Sequence, residues 1–403
     1  MANQYLSMET LNFLMYQVHE VEKLLTAERF TEYDKEAINS FLDSVKIFSD
    51  MELFPYFEDM DAKPAYFKDG TIIVHPQLKT IIEKGSELGL VGANFDYEVG
   101  GMQLPETVLN ALCFIMECAN NNVTGYFGLT AGSCDLIATF GSQELKDRFV
   151  PKMLGGEWGG TMCLTEPQAG SSLSDVNTNA TPTDNDFYHI KGQKIFISGG
   201  DHAYYNNFVH LVLARIEGAP RGTKGISLFV VPKNRKLEDG SFEYNDVATA
   251  ADFQKLGQRG YCTTHLVFGD NEDCRGWLVG EANQGLKYMF QMMNGARIAV
   301  GRGATAIATA AYYASLEYAR ERPQGRKINN AGEKDASSEQ TLIINHPDVK
   351  RMLYLQKAIA EGGLSLVLQT SMYHDLEKIS EGEEKEKYHL FTMKNGFITC
   401  LIY

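Results

Sequence analysis

Hydrophobic and polar positions follow three successive rhythms along this chain. In the first 60 residues or so the period is helical. Leu11, Leu14, Met15, Val18, Val21 and Leu24 share one face, while Glu20, Glu22 and Lys23 fall largely off it. Ile38, Phe41, Leu42, Val45 and Phe48 repeat the pattern over 31–48. Asp69-Gly70 marks a turn, and a helix is expected over 76–88. A glycine-punctuated loop at 96–101 precedes a long apolar helix over 105–118, and helical segments follow over 125–140 and 143–153. These segments define an expected all-helical domain over residues 1–157.

The period then shortens. Runs at 161–164, 187–197, 208–216, 225–231 and 263–268 are rich in β-branched and aromatic residues. Turn clusters at 183–186, 199–201 and Asp239-Gly240 separate them, so residues 158–275 are expected to form a small antiparallel barrel or sandwich. No parallel βαβ rhythm appears and no G-x-G-x-x-G follows a strand, which disfavours a Rossmann fold. From about residue 283 the helical period returns, with Leu286, Met289, Phe290, Met293, Ala296 and Val300 on one stripe. A small-residue region follows, Pro323 ends the helix, 329–339 reads as a charged loop, and another helix is expected over 349–370. The third domain, 276–403, is thus an incomplete helical bundle, and the fold class is α+β multidomain.

Composition narrows the function classes. A chain of 403 residues with 44% hydrophobic and 22% charged positions has ample core for two or three domains. A formal net charge of -15 argues against nucleic acid and anionic membrane surfaces as partners, although local basic residues can still hold a polyanionic ligand. The seven cysteines include no C-x-x-C pair and read as reduced thiols, so a cytoplasmic location is expected. Neither a signal peptide nor a long apolar span is visible, which argues against membrane insertion. The nine histidines show no metal-ligand spacing, and no metal site is expected.

The stretch Met162-Cys163-Leu164-Thr165-Glu166-Pro167-Gln168-Ala169-Gly170-Ser171-Ser172 marks the change from helix to strand. Pro167 stiffens a turn, Gly170 permits close backbone approach, and three hydroxyls are available for hydrogen bonding. In isolation this is an ordinary strand exit. With Gly192-Gln193-Lys194-Ile195-Phe196-Ile197-Ser198-Gly199 and Glu321-Arg322-Pro323-Gln324-Gly325 in order behind it, the chain resembles the acyl-CoA dehydrogenase flavoproteins. The wording at 160–165 and 346–353 is most similar to the larger subgroup that includes 3-methylmercaptopropionyl-CoA dehydrogenases. The likeness fades after about Tyr373.

The resemblance implies FAD as cofactor, an acyl-CoA thioester as substrate, its α,β-dehydrogenation to the trans-2-enoyl-CoA, and an electron-transfer flavoprotein as electron acceptor. It places Met162, Leu164 and Thr165 along the isoalloxazine, with Gly170 and Ile197 counted among the cofactor contacts. Ser171 would fall between the pyrophosphate and the thioester tail. Ser198 stands for the family's threonine near N5, and Phe196 for its tryptophan. Plain β-core is the alternative reading for Phe196. Asn294 and Arg297 fall on the substrate helix. Arg322 and Gln324 fall in the block that clamps the pyrophosphate, from a neighbouring subunit, which implies a homodimer or homotetramer. His346 would approach the nucleotide, although a histidine before a proline also suits a helix start. For Arg322 the alternative is a helix-terminal cation offsetting the macrodipole.

A catalytic base is missing from this pattern. Most members carry a glutamate late in the C-terminal domain, in a loop reading like Y-E-G-T, and here only Tyr97-Glu98-Val99-Gly100 looks similar, in the wrong place. A minority set the base just before the substrate-helix arginine, where this chain has Ala296. The terminal run 397–403 is apolar, an unusual chain end. The base is therefore expected beyond Tyr403, in a longer enzyme of which this is the front two-thirds, and as written the chain should bind flavin poorly and dehydrogenate slowly or not at all. The alternatives are an oxygen-using acyl-CoA oxidase-like enzyme and a non-catalytic acyl-CoA-binding relative.

Overall fold

The computed structural model describes residues 4–328, 332–333 and 336–401. Of the expected loop over 329–339, residues 329–331 and 334–335 lie outside that description. So do the side chains at 397–401 and residues 402–403 of the terminal apolar run. The chain opens with α1 (Met8–Asn12), α2 (Lys35–Phe48) and α3 (Phe57–Ala62), a hairpin of β1 (Tyr66–Lys68) and β2 (Thr71–Ile73), then α4 (Gln77–Glu87), α5 (Glu106–Ala119), α6 (Thr124–Phe140) and α7 (Gln143–Leu154). Ten strands follow in all, beginning with β3 (Trp158–Cys163), β4 (Asn179–Pro182), β5 (Tyr188–Ser198), β6 (Asn207–Ile216) and β7 (Ile226–Pro232). They continue with β8 (Asn234–Lys236), β9 (Phe242–Tyr244), β10 (Val247–Asp252), β11 (Thr263–Phe268) and β12 (Arg275–Leu278). The last helices are α8 (Gly285–Glu321), α9 (Pro347–Ile379) and α10 (Gly382–Leu401).

Two compact units divide the chain. One comprises Met1–Ser49, Pro105–Asn121 and Arg297–Tyr403, the other Asp50–Leu104 and Asn122–Ala296. In the first, α5 is apolar nearly all round, and Val108, Ala111, Leu112 and Ile115 are buried as α2 and α9 pack on it. A polar ladder runs along the same helix. Asp375 of α9 accepts from the Glu106 and Thr107 backbone N–H groups at 2.7 and 2.9 Å, capping the start of α5 from far along the chain. Farther down, Arg302 of α8 donates Nε and Nη2 to the two oxygens of Glu117, both at 2.9 Å.

In the second unit the strand order is β10-β11-β5-β12-β7-β6-β3, and β4 pairs with both β5 and β6. That double pairing closes β5, β12, β7, β6 and β4 into a barrel, which leaves those five strands without a free edge. Its core is Cys163, Ile190, Val212, Phe229, Val231 and Phe268, among others. The expected all-antiparallel sheet is corrected here: β3 and β4 both run parallel to β6. A parallel pair needs a long crossover, and the Glu166–Asp175 loop with β4 and β5 supplies it. Strands β4, β8, β9, β10 and β12 were not expected, being short or interrupted by polar residues.

The first 157 residues are not wholly helical. Asp69 and Gly70, with φ of 49° and 85°, turn β1 into β2 as a two-residue hairpin, and Phe67 N–H donates to Asp252 Oδ1 at 2.9 Å. The single helix expected across Leu11 to Leu24 is also broken. After α1 the backbone widens into a π-helical turn at Phe13–Val18, Glu20 adopts a left-handed φ of 50°, and a 3-10 stretch follows at Val21–Thr26. The extra residue per turn keeps Leu11, Leu14, Met15, Val21 and Leu24 buried and turns Val18 outward.

Candidate functional site

Most of the expected cofactor contacts lie on the chain leaving β3 and on the second half of β5. Ile195 N–H donates to Thr165 O at 2.8 Å, which fastens the chain leaving β3 beside the middle of β5. Met162, Leu164, Thr165 and Ser198 are half-buried, Ile197 is buried, and Gly170 and Ser171 are exposed on the loop beyond. Among the described residues, none of the Thr165, Ser171 and Ser198 hydroxyls bonds another protein group. A side chain at Gly170 would meet only the Thr165 methyl, at 3.9 Å, so this surface is open.

Strand β5 is irregular at the point that matters. Before residue 195 its inward side chains are Ile190 and Lys194; after it the buried residue is Ile197. The register with β11 shifts between Thr264 and Leu266, and Phe196 sits at the shift with φ of 58°. A bulge inserts one residue, and the alternation changes parity across it. For a phenylalanine the left-handed conformation costs about 1–2 kcal/mol. The ring is 56% exposed and leans on Phe253, centroids 4.4 Å apart. The β-core alternative for Phe196 is thereby excluded. An exposed aromatic held in a strained backbone, flanked by hydroxyls with no protein partner, suits a flat aromatic or polar ligand.

Glu166 and Lys194 stand directly behind this surface and were not expected as site residues. Both are fully buried, and Lys194 Nζ donates to Glu166 Oε1 at 2.7 Å and to Leu164 O at 3.1 Å. Burial pushes the Glu166 carboxyl up, but Lys194, Thr178 and Asn177 together pull it below its usual range. Burial likewise draws the Lys194 ammonium down against the pull of Glu166. The available signal was a lysine in phase with the apolar Ile190 along the strand, since a buried charge needs a partner.

A second cluster lies in the other unit, where α8 ends. Gln324 N–H donates to Thr341 O at 2.9 Å, Thr341 N–H returns to Gly325 O at 3.0 Å, and Ile343 N–H donates to Arg322 O at 2.9 Å. His346 Nε2 donates to Gln324 O at 2.8 Å, so Arg322, Gln324 and His346 are held in one short ladder. The histidine also stands at the N-cap of α9 without a side-chain cap bond. Arg322 and Gln324 are exposed. Asn294 and Arg297 are half-buried on α8. The apolar stripe expected on this helix does not form one buried face: Met289 is buried, but Phe290, Met293 and Val300 are exposed. Its first turns instead seat through Tyr288, stacked on Phe140 at 4.2 Å, and Gln291, which donates to Asp135 at 2.7 Å.

Comparison with known proteins gives these features a common setting. Residues 35–157 match the family description "Acyl-CoA dehydrogenase, N-terminal domain" and residues 161–271 match "Acyl-CoA dehydrogenase, middle domain". A butyryl-CoA dehydrogenase of Syntrophomonas wolfei is 36% identical over 97% of this chain and 65% of its own length. A 3-methylmercaptopropionyl-CoA dehydrogenase of Ruegeria pomeroyi is 37% identical over 94% of this chain and 64% of its own. The chain therefore spans just under two thirds of the length of these curated relatives. Among solved structures, an acyl-CoA dehydrogenase from Bacillus anthracis complexed with FAD aligns with a TM-score of 0.68 at 22% identity, over 94% of this chain and 57% of that one.

Proposed function

The chain belongs to the acyl-CoA dehydrogenase family, and from that premise we propose that it binds FAD and an acyl-CoA thioester for α,β-dehydrogenation to the trans-2-enoyl-CoA. The observation that carries this reading is the open surface on β5, where the Thr165 and Ser198 hydroxyls have no protein partner and flank the exposed, left-handed Phe196. When bound, FAD supplies the acceptor for the hydrogen leaving the β-carbon. This chain's residues hold and orient. Thr165 and Ser198 offer hydrogen bonds to the pyrimidine edge and N5, and Phe196 shields the ring from water. Ser171 lies where the pyrophosphate and thioester tail would pass. Arg297 and Asn294 serve the acyl-CoA, and Arg322 with Gln324 presents a guanidinium to the pyrophosphate of a second copy in a homodimer or homotetramer. Electrons then pass to an electron-transfer flavoprotein.

We assign no proton acceptor within this chain, because Ala296, next to Arg297, has no titratable group. A second reading is a non-catalytic acyl-CoA-binding relative, which loss of flavin binding would favour. Fluorescence titration with FAD, then anaerobic mixing with butyryl-CoA, separates the two. Saturable FAD binding with rapid bleaching of the oxidised flavin spectrum supports dehydrogenation. FAD binding without bleaching supports the cofactor site alone and counts against the binder. No FAD binding counts against the first reading and supports the binder.

A further inference from the structure

We propose that the buried Lys194–Glu166 pair is the positioning element of the flavin surface, acting through the Leu164 and Thr165 backbone and through the Asn177-Thr178 strand approach. The proposal rests on the FAD reading above.

Glu166 is the junction of five donors. Its Oε1 accepts from Lys194 Nζ at 2.7 Å, Thr178 N–H at 3.0 Å and Thr178 Oγ1 at 2.6 Å. Its Oε2 accepts from Asn177 N–H at 2.7 Å and Gln168 Nε2 at 2.6 Å. The main chain of the same residue is pinned too, since Glu166 and Ala169 exchange backbone bonds at 2.9 and 3.1 Å. One carboxylate therefore closes the loop from 166 to 178, which carries Gly170 and Ser171. Lys194 adds the link to the sheet by donating to Leu164 O, next to the Thr165 carbonyl that takes Ile195 N–H. Thr165 on one side and Phe196 with Ser198 on the other are thus held by two adjacent bonds, one of them from a charge that has no route to solvent.

A pair with only a stabilising role would have no reason to tie the second lysine bond to the Leu164 carbonyl. Nor would it need to saturate a carboxylate with the backbone of the very loop that carries Ser171. Inside a protein such a network fixes geometry because every alternative leaves a buried donor or acceptor without a partner.

The test uses the full chain with Lys194→Met and Glu166→Gln combined, so that no buried charge remains unbalanced; the one glutamine oxygen can keep the Thr178 bonds, while its NH2 cannot accept from Asn177 N–H. Three quantities are measured: the melting temperature, the FAD dissociation constant by flavin fluorescence, and amide hydrogen exchange over 162–172. The expected result is a folded protein whose FAD dissociation constant rises tenfold or more and whose 162–172 amides exchange at least tenfold faster. A lowered melting temperature with FAD affinity within twofold of the wild type and unchanged exchange at 162–172 would overturn the proposal and leave a merely structural pair. If the wild-type chain itself binds no FAD, the flavin reading fails. The exchange measurement then judges the positioning role alone: faster exchange upholds it and unchanged exchange overturns it.

Discussion

A buried ion pair lies in each unit of this protein, Arg302–Glu117 in one and Lys194–Glu166 in the other, and the two are built for different ends. Arg302 and Glu117 meet helix to helix, fork to carboxylate, through two bonds of 2.9 Å, and Arg302 Nη1 also donates to Asn110 Oδ1 at 2.5 Å. Lys194 and Glu166 meet strand to loop. Theirs is a single bond of 2.7 Å, and their other bonds go to the Leu164, Asn177 and Thr178 backbone and to the Thr178 and Gln168 side chains, beside an open surface. The helical pair, with the Arg302–Asn110 bond, ties α8 to α5. The barrel pair gives the chain around Thr165 a shape that local sequence preference would not hold. A planar guanidinium suits the first task, and a flexible ammonium that can reach a carbonyl and a carboxylate suits the second.

Four substitutions sharpen that contrast. The largest effect is expected from Glu117→Ala, which strands the Arg302 charge in the core and should cost about 3–5 kcal/mol in urea unfolding. FAD affinity per folded molecule should not change; a variant that unfolds normally but loses flavin would show that the helical pair also shapes the site.

Next comes Asp375, whose carboxyl burial pushes up from 3.8 to about 6. A carboxyl with a raised folded value binds its proton more tightly when folded. Its contribution to stability is therefore present below pH 4 and declines as pH rises through 6, by an amount on the order of 2–3 kcal/mol. Comparing wild type with Asp375→Asn between pH 4 and 7 should show that slope only in the wild type, and parallel curves would refute it.

Phe196→Gly should change stability by less than about 1 kcal/mol, because relief of the left-handed strain is offset by glycine's chain entropy and the lost Phe253 contact, while weakening FAD binding. A loss of about 2 kcal/mol or more would mean that Phe196 is packed rather than poised. The smallest change is expected for Ser198→Ala. Since its hydroxyl bonds no group among the described residues, the melting temperature should stay put while FAD affinity falls by about 1 kcal/mol, roughly fivefold. A destabilised variant with normal flavin affinity would reverse the assignment.

Much of this was legible in advance where the signal is local. Ser142 capping α7 at Leu145 N–H, the stripe on α2, and the β-branched runs of β5 to β7 each show in a handful of neighbouring residues. The three motifs also stood out, and with them Thr165, Ser171, Ser198 and Arg322. Other features had no local signal. Phe196 looks like a strand residue until the bulge against β11 puts it in a left-handed backbone and turns its ring outward. The parallel pairing of β3 with β6 depends on where the crossover returns, which no period records.

By itself, then, the sequence determined which stretches become helix or strand, where the chain changes from one to the other, and which short motifs carry hydroxyls and glycines. Those properties depend on residues within a turn or two of each other. Only the tertiary structure decided that Lys194 would answer Glu166 across 28 residues, Arg302 would answer Glu117 across 185, and Asp375 would cap a helix 268 residues before it. The reason is that a buried charge or helix end must find a partner somewhere in the core, and which one it finds is settled by packing rather than by its neighbours along the chain.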